Sequence, residues 1–260
     1  MCRLLGLIAN KEVDLRFSLV EGPTTLRSLS QSNQDGWGLG WYEDGRPKVV
    51  KEPAPAHSSQ SYRRTSAEAT SRVFIAHVRR ATTGSCCTEN CHPFQYGRWL
   101  FAHNGSVDRK ALLDQLNEVH RLAIVGETDS EAFFHWILQK IEEASSPEEG
   151  IANALGALKD GTYTALNFLL SDGEHLYAYR NAACSHGYYS LSYLVRPPGP
   201  RQPETFYPRE VRAMLESKCL RGERAVVVCS EKLTGEPWKD IPLGNLLVVG
   251  LDLKPTLKQL

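Results

Sequence analysis

No stretch of the 260-residue sequence approaches the run of about 18 apolar residues that a membrane-spanning helix requires. The N-terminal apolar segment, Leu4 to Ala9, is too short for the core of a secretion signal, and Arg3 is the sole cation before it. Membrane insertion and secretion are therefore not expected. An excess of one charge is also missing, since 30 Lys and Arg stand against 30 Asp and Glu. Arg63-Arg64 and Arg79-Arg80 are pairs rather than patches, so a general binder of nucleic-acid phosphates is not expected either. There is no internal repeat, no low-complexity tract, no Gly-x-Ser-x-Gly, no Walker-type phosphate loop and no His-Glu-x-x-His. Gly36-x-Gly38-x-Gly40 lacks the helix and downstream acidic residue of a dinucleotide fingerprint, and opens a strand containing Trp41 instead.

What is present is an ordinary globular composition, 42% hydrophobic and 23% charged, enough for a sizeable core. The seven cysteines (Cys2, Cys86, Cys87, Cys91, Cys184, Cys219, Cys229) are odd in number and cannot all pair. Without a secretion signal they read as free thiols in a reducing cytoplasm. Cys86-Cys87-x3-Cys91-His92 suggests a metal cluster. A structural zinc site usually takes two separated ligand pairs, however, and these four candidates fall within seven residues, so no metal is expected.

Short strands are predicted at Cys2–Ala9, Val73–Val78 and Arg98–His103, and Trp37–Glu43 with Arg46–Glu52 form a hairpin about Asp44-Gly45. Asp108 caps a predicted helix carrying Leu112, Leu113, Leu116 and Val119, and Thr128 or Asp129 caps the next, with Phe133, Trp136 and Ile137 on one face. A third helix opens at Pro147 and runs to about Lys159. The second half reads as strands: Tyr163–Leu170, His175–Tyr179, Tyr188–Val195, Ala225–Cys229 and Leu246–Leu251. Pro197-Pro198-Gly199-Pro200, with Pro203 beyond, is the best linker candidate and reads as a loop inside one domain spanning 1–260. Strands at both ends with helices between them imply an α+β fold.

Cys2 becomes the first residue if the initiator methionine is removed. Its thiol then shares a residue with a free α-amine of pKa ~7.7–8.0, a self-contained pair of nucleophile and base. The alternative is a small buried residue of the first strand. Five further motifs follow in order: Asn33-Gln34-Asp35-Gly36-Trp37-Gly38, Ala76-His77-Val78-Arg79-Arg80-Ala81-Thr82-Thr83-Gly84, Cys91-His92-Pro93-Phe94, Phe101-Ala102-His103-Asn104-Gly105 and Gly126-Glu127-Thr128-Asp129-Ser130-Glu131. Met-Cys at the terminus with these five resembles the class II glutamine amidotransferase domain, whose members are N-terminal-nucleophile hydrolases that release ammonia from glutamine. Asp-Gly-Trp-Gly resembles the stand-alone branch, which includes γ-glutamyl hydrolases of thiol metabolism. Ser230-Glu231-Lys232-Leu233-Thr234, with Trp238 and Pro242, resembles that branch near its C-terminus.

The resemblance implies a four-layer αββα sandwich and a cysteine thioester mechanism without metal or organic cofactor. Cys2 attacks the γ-carboxamide carbon, its amine passes a proton to the leaving ammonia, and water resolves the thioester. Asn104 (side-chain amide) and Gly105 (backbone N–H) form the oxyanion hole by resemblance; as an isolated dipeptide they read first as a hairpin turn. Arg79 suits the glutamine carboxylate through its planar fork, and Asp129 suits the ammonium, although alone they read as a surface charge and a helix cap. Thr82 and Thr83 fall where the family places pocket contacts, and Asp35, Gly36 and Trp37 read as a loop wall beside the nucleophile. Two departures stand out: Arg80 occupies a frequent tryptophan position of synthase-linked relatives, and Thr83 a histidine position of some. The substrate is then glutamine or another small γ-glutamyl compound. The other readings are an ammonia-donating subunit serving a separate acceptor synthase, and a catalytically silent binding protein if Met1 is retained.

Overall fold

The structure, a computed structural model, describes residues 2–159, 161–196 and 224–260. The proline-rich linker candidate at 197–200, with Pro203, and Cys219 lie outside the described residues. Period-two alternation in the first strand, β1 (Arg3–Asp14), sorts the layers. Leu5, Leu7 and Ala9 enter one core, while Leu4 and Ile8 enter another, with Gly6 opposite Leu169 and Leu176. A π-helical turn (Phe17–Glu21) and α1 (Leu26–Leu29), closed by a Thr25–Ser28 capping box, lead to β2 (Trp37–Glu43) and β3 (Arg46–Glu52). Asp44 and Gly45 both take positive φ, 48° and 73°, as a two-residue hairpin turn demands. α2 (Gln60–Glu68), β4 (Thr70–Val78), β5 (Phe94–Tyr96) and β6 (Trp99–Val107) follow.

The central helices are α3 (Arg109–Leu113), α4 (Glu118–Ala123), α5 (Asp129–Glu142) and α6 (Pro147–Gly156). The chain continues with β7 (Tyr163–Ser171), β8 (His175–Arg180), β9 (Ser192–Arg196), β10 (Ala225–Cys229), β11 (Lys239–Asp240), β12 (Asn245–Gly250) and β13 (Thr256–Gln259). Among the described residues, one antiparallel sheet has the order β11-β9-β10-β1-β4-β2-β3 and the second β13-β12-β8-β7-β6-β5. Leu4, Ile8, Val73, Ile75 and Val226 from the first sheet interdigitate with Leu100, Ala102, Leu169, Ala178 and Leu247 from the second. The outer faces are covered by α1, α2 and the π turn on one side and by α3, α5 and α6 on the other. The architecture is the expected αββα sandwich. Each fully buried Leu, Ile or Val contributes about 1.5–3 kcal/mol, so the middle layer is a principal source of stability.

Several boundaries differ from the sequence expectation. Asn104-Gly105 is no hairpin turn: both lie inside β6, opposite Asn167 and Leu166 of β7. The helix expected from Asp108 through Val119 is two helices, because Asn117 caps a new one by accepting from His120 N at 2.9 Å. Val119 consequently points outward, 63% exposed. The third helix ends at Gly156 rather than near Lys159. β1 runs on to Asp14 past a register irregularity between Ile8 and Val13. Tyr188 belongs to a turn bonded to Ser185 O, and β9 starts at Ser192.

Candidate active site

Strand parity brings the site together from two sheets. Arg3 pairs with Val78, and Val78 with Trp37, so the N-terminal end of β1, the C-terminal end of β4 and the start of β2 share one edge. Cys2 has the parity of Leu4, Gly6 and Ile8, which face the second sheet. In β6, Asn104 has the parity of Leu100 and Ala102, which face the first. The two meet: Asn104 Nδ2 donates to the Cys2 carbonyl oxygen at 3.1 Å. The half-buried Cys2 thiol is bracketed by one residue. Arg80 N–H donates to Sγ at 3.2 Å, and Sγ–H donates to Arg80 O at 3.3 Å. Burial pushes the thiol pKa above the ordinary cysteine value, and the Arg80 backbone contact and the charges of Arg79 and Arg3 offset this only in part. At neutral pH the thiol is protonated, so nucleophilic use of it requires a base.

The histidines nearby do not supply one. His77 and His92 are buried with their rings 4.3 Å apart, and the His77 pKa falls to about 3 through burial first, then the charges of Arg79 and His103. His92 is lowered well below its ordinary value, chiefly by burial. Both imidazoles are too weakly basic to take a thiol proton efficiently at pH 7.

The segment after β4 is stapled in place. Arg79 is buried; its Nη2 donates to Thr83 O at 2.7 Å and Gly84 O at 3.4 Å, and its Nη1 to Ser85 O at 3.1 Å. Thr82 and Thr83 are exposed on this loop. Asp35 joins from the loop before β2, its N–H donating to Arg79 O at 3.1 Å and its Oδ2 accepting from Ala81 N at 2.7 Å. Gly36 accepts from Arg79 N at 2.7 Å, has φ 145°, and a Cβ there would lie 2.4 Å from Cys91 Sγ. Only glycine fits both that backbone and that approach. Trp37 is not brought to the site. It shares parity with Leu39 and Trp41, and its indole packs edge-on against Tyr62 and donates to Glu52 on the helical side of the sheet.

Asp129 opens α5, behind the Thr128 cap, and is buried, with Oδ2 accepting from Val107 N at 2.8 Å. Gly105 follows Asn104 so closely packed that a Cβ would lie 1.9 Å from Ala165 O. Three groups of supporting residues had no role in the sequence reading; Glu127, His103, Ser230 and Glu231 lie inside the motifs, whereas Ser85 and Asn90 fall between them. Glu127 Oε2 accepts from Ser85 N, Ser85 Oγ and Asn90 Nδ2 at 3.0, 2.8 and 3.4 Å, clasping the Arg79 loop to the start of α5. Ser230 Oγ accepts from Leu4 N at 3.0 Å, and Glu231 pairs with Arg3 at 2.7 Å, fixing the start of β1. His103 lies beneath Asn104, bonded to Ser130. Cys91 Sγ donates to the carbonyl of Cys87, and among the described residues no three His, Cys, Asp or Glu side chains are grouped to hold a metal. Among them, too, no helix is long and apolar enough to cross a membrane.

Comparison with known proteins identifies the family. The protein "Putative glutamine amidotransferase YafJ" of Escherichia coli is 31% identical over 262 residues, covering 94% of this chain and 96% of its own. The gamma-glutamyl-hercynylcysteine sulfoxide hydrolase of Mycobacterium tuberculosis is 34% identical over 122 residues, 43% of this chain and 52% of that protein. The solved structure of a glutamine aminotransferase class-II domain protein from Silicibacter pomeroyi superposes with a TM-score of 0.66 at 21% identity, over 99% of this chain and 98% of that one, which is a likeness of fold. The family described as "Glutamine amidotransferases class-II" matches residues 1–252, and the chain belongs to it.

Proposed function

We propose that the chain is an amidohydrolase that cleaves the γ-glutamyl amide bond of glutamine or a larger γ-glutamyl compound, with residues 1–260 forming one domain of this type. The observation that carries the reading is the inter-sheet hydrogen bond from Asn104 Nδ2 to the Cys2 carbonyl oxygen, which supports an amide donor acting beside the residue that bears the thiol. Removal of Met1 exposes the Cys2 amine, the base that the raised thiol pKa calls for. The thiolate attacks the γ-carbonyl carbon, and the oxyanion is met by Asn104 Nδ2 and Gly105 N–H. The C–N bond breaks as the ammonium form of the terminal amine protonates the leaving nitrogen, and water then cleaves the γ-glutamyl thioester. Arg79 and Asp129 take the α-carboxylate and α-ammonium of the substrate, and the Asp35–Gly36 loop holds the backbone beside them. The partial match to a γ-glutamyl hydrolase supports hydrolysis over ammonia donation.

The experiment has two arms. A glutamine-like diazoketone should alkylate Cys2 in protein whose N-terminal mass shows Met1 removed; labelling mainly at Cys86, Cys87 or Cys91 would refute the nucleophile. In the second arm kcat/KM is compared across glutamine, γ-glutamyl peptides and γ-glutamyl amides. A strong preference for a peptide or amide supports the hydrolase. Weak activity on all of them that rises with a co-purifying protein supports an ammonia-donating subunit instead.

A further inference from the structure

His103 immediately precedes the two proposed oxyanion donors, and its ring points the other way, into the helical layer. There it is 1% exposed and lies edge-on to Phe133. Nε2 is 3.1 Å from the carbonyl oxygen of Ala165 on β7, and Nδ1 is 2.9 Å from Ser130 Oγ on α5. A carbonyl oxygen only accepts, so Nε2 must carry the hydrogen. Burial disfavours the charged ring, so Nδ1 is bare and the Ser130 hydroxyl donates to it. A single arrangement of protons satisfies both contacts.

Four residues on, Val107 N–H donates to Asp129 Oδ2 at 2.8 Å. The Asn104–Ser106 peptide is thus tied at both ends to consecutive residues of α5, through His103 to Ser130 and through Val107 to Asp129. The ring lies close to the peptide it supports: a Cβ added on Gly105 would come to 3.0 Å from His103 Nε2. The other tautomer would set a lone pair against Ala165 O, and a ring turned over would bring Cε1–H there in place of Nε2–H and lose both hydrogen bonds.

We propose that His103, held as its Nε2–H tautomer between Ser130 and Ala165, is a positioning residue for Asn104 and Gly105, with Ser130 setting the tautomer. The proposal rests on the γ-glutamyl hydrolase reading for its kinetic consequence but not for its structural one. Loss of the Ser130 hydroxyl leaves Nδ1 without a donor and lets the ring reorient. The donors are then less well aimed where the oxyanion forms, while Arg79 and the Asp129 carboxylate still hold the substrate.

The test uses Ser130→Ala, Ser130→Thr and wild type, with 15N-histidine NMR on the unliganded protein and steady-state kinetics on the preferred γ-glutamyl substrate. Wild-type His103 should show a protonated Nε2 and a bare Nδ1. Ser130→Ala should show mixed tautomers, with kcat lowered about tenfold and KM changed less than about twofold, the pattern of a loss confined to the transition state. Ser130→Thr, which keeps the hydroxyl, should restore both readouts. A protonated Nδ1 in the wild type, or an unchanged kcat in Ser130→Ala, overturns the proposal. Absence of γ-glutamyl hydrolysis by the wild type overturns the functional reading instead, and the NMR result still decides the tautomer.

Discussion

Truncating Asn104 to alanine separates the two tasks its side-chain amide can perform. In the resting protein Nδ2 donates to the Cys2 carbonyl at 3.1 Å from a side chain only 3% exposed. Without that donor the Cys2 carbonyl oxygen keeps only the longer hydrogen bond from Arg3 Nη1, at 3.3 Å, at a cost of about 0.5–1.5 kcal/mol. For a chain of this size each kcal/mol lowers the melting temperature by about 2–4 °C, so a fall of about 1–6 °C is expected. The kinetic loss is of another order. Removing one oxyanion donor costs about 10²–10³ in kcat, equivalent to ~2.7–4 kcal/mol, because the group acts most strongly on charge that exists only in the transition state. KM should change little, since Asn104 touches neither proposed charged end of the substrate. Asn104→Asp, similar in size but unable to donate when ionised, should repeat the kcat loss and rule out the missing volume as its cause. The assay is kcat and KM on the preferred γ-glutamyl amide, with thermal melts on the same preparations. A variant that melts within the expected range yet keeps near-normal kcat would refute the oxyanion role and leave Asn104 as a tie between sheets.

The other expectations concern the substrate anchors, a glycine and the buried imidazoles. Arg79→Lys cannot span Thr83 O and Ser85 O with one ammonium, so KM should rise, and Asp129→Asn should raise it by removing the counter-charge; wild-type kinetics in both would move the pocket elsewhere. Gly105→Ala drives a methyl to within 1.9 Å of Ala165 O and should cost stability by about 1–3 kcal/mol, read as a lower denaturation midpoint; an unchanged midpoint would contradict the packing of β6 on β7. The His135 pKa is depressed from 6.5 to about 4 by burial, then by His120, so between those pH values the unfolded chain binds a proton that the folded one does not. Stability should therefore fall as pH drops from 6.5 towards 4, and less steeply in His135→Gln; equal slopes would count against the burial of that ring.

Where local chemistry and tertiary demand agree, the elements were legible in the sequence to the residue. The β2–β3 hairpin is one case, with Asp-Gly suited to two positive φ values, and β10, an unbroken apolar run, is another. α2 escaped notice because it buries only Tyr62, Thr65 and Ser66, which make no apolar stripe. β6 was cut short at His103 since Asn-Gly usually turns, whereas here paired neighbours on β7 carry the strand through. At the candidate site, ordered motifs singled out Cys2, Asn104 and Asp129, of which Cys2 and Asn104 are hydrogen-bonded to each other. Trp37 was misplaced because a motif records adjacency in the chain, and the period of two sends its indole to the opposite face. That Arg79 already spends donors on the carbonyls of its own loop could not be read at all, for the bonds exist only once residues 83–85 fold back over it.

The thiol and the amide of Asn104 belong to different sheets, and no covalent path shorter than about a hundred residues joins them. Their separation is thus measured by what fills the gap between the sheets: Leu4, Ile8, Ile75, Leu100, Ala102 and Leu169 act as a spacer of fixed thickness. A methylene added or deleted there, well away from any reacting atom, changes the stand-off between nucleophile and donor. Since misplacement of about 1 Å can cost a hundredfold in rate, the interlayer hydrocarbon calibrates the chemistry, and drift in its volume should register in turnover before it registers in folding.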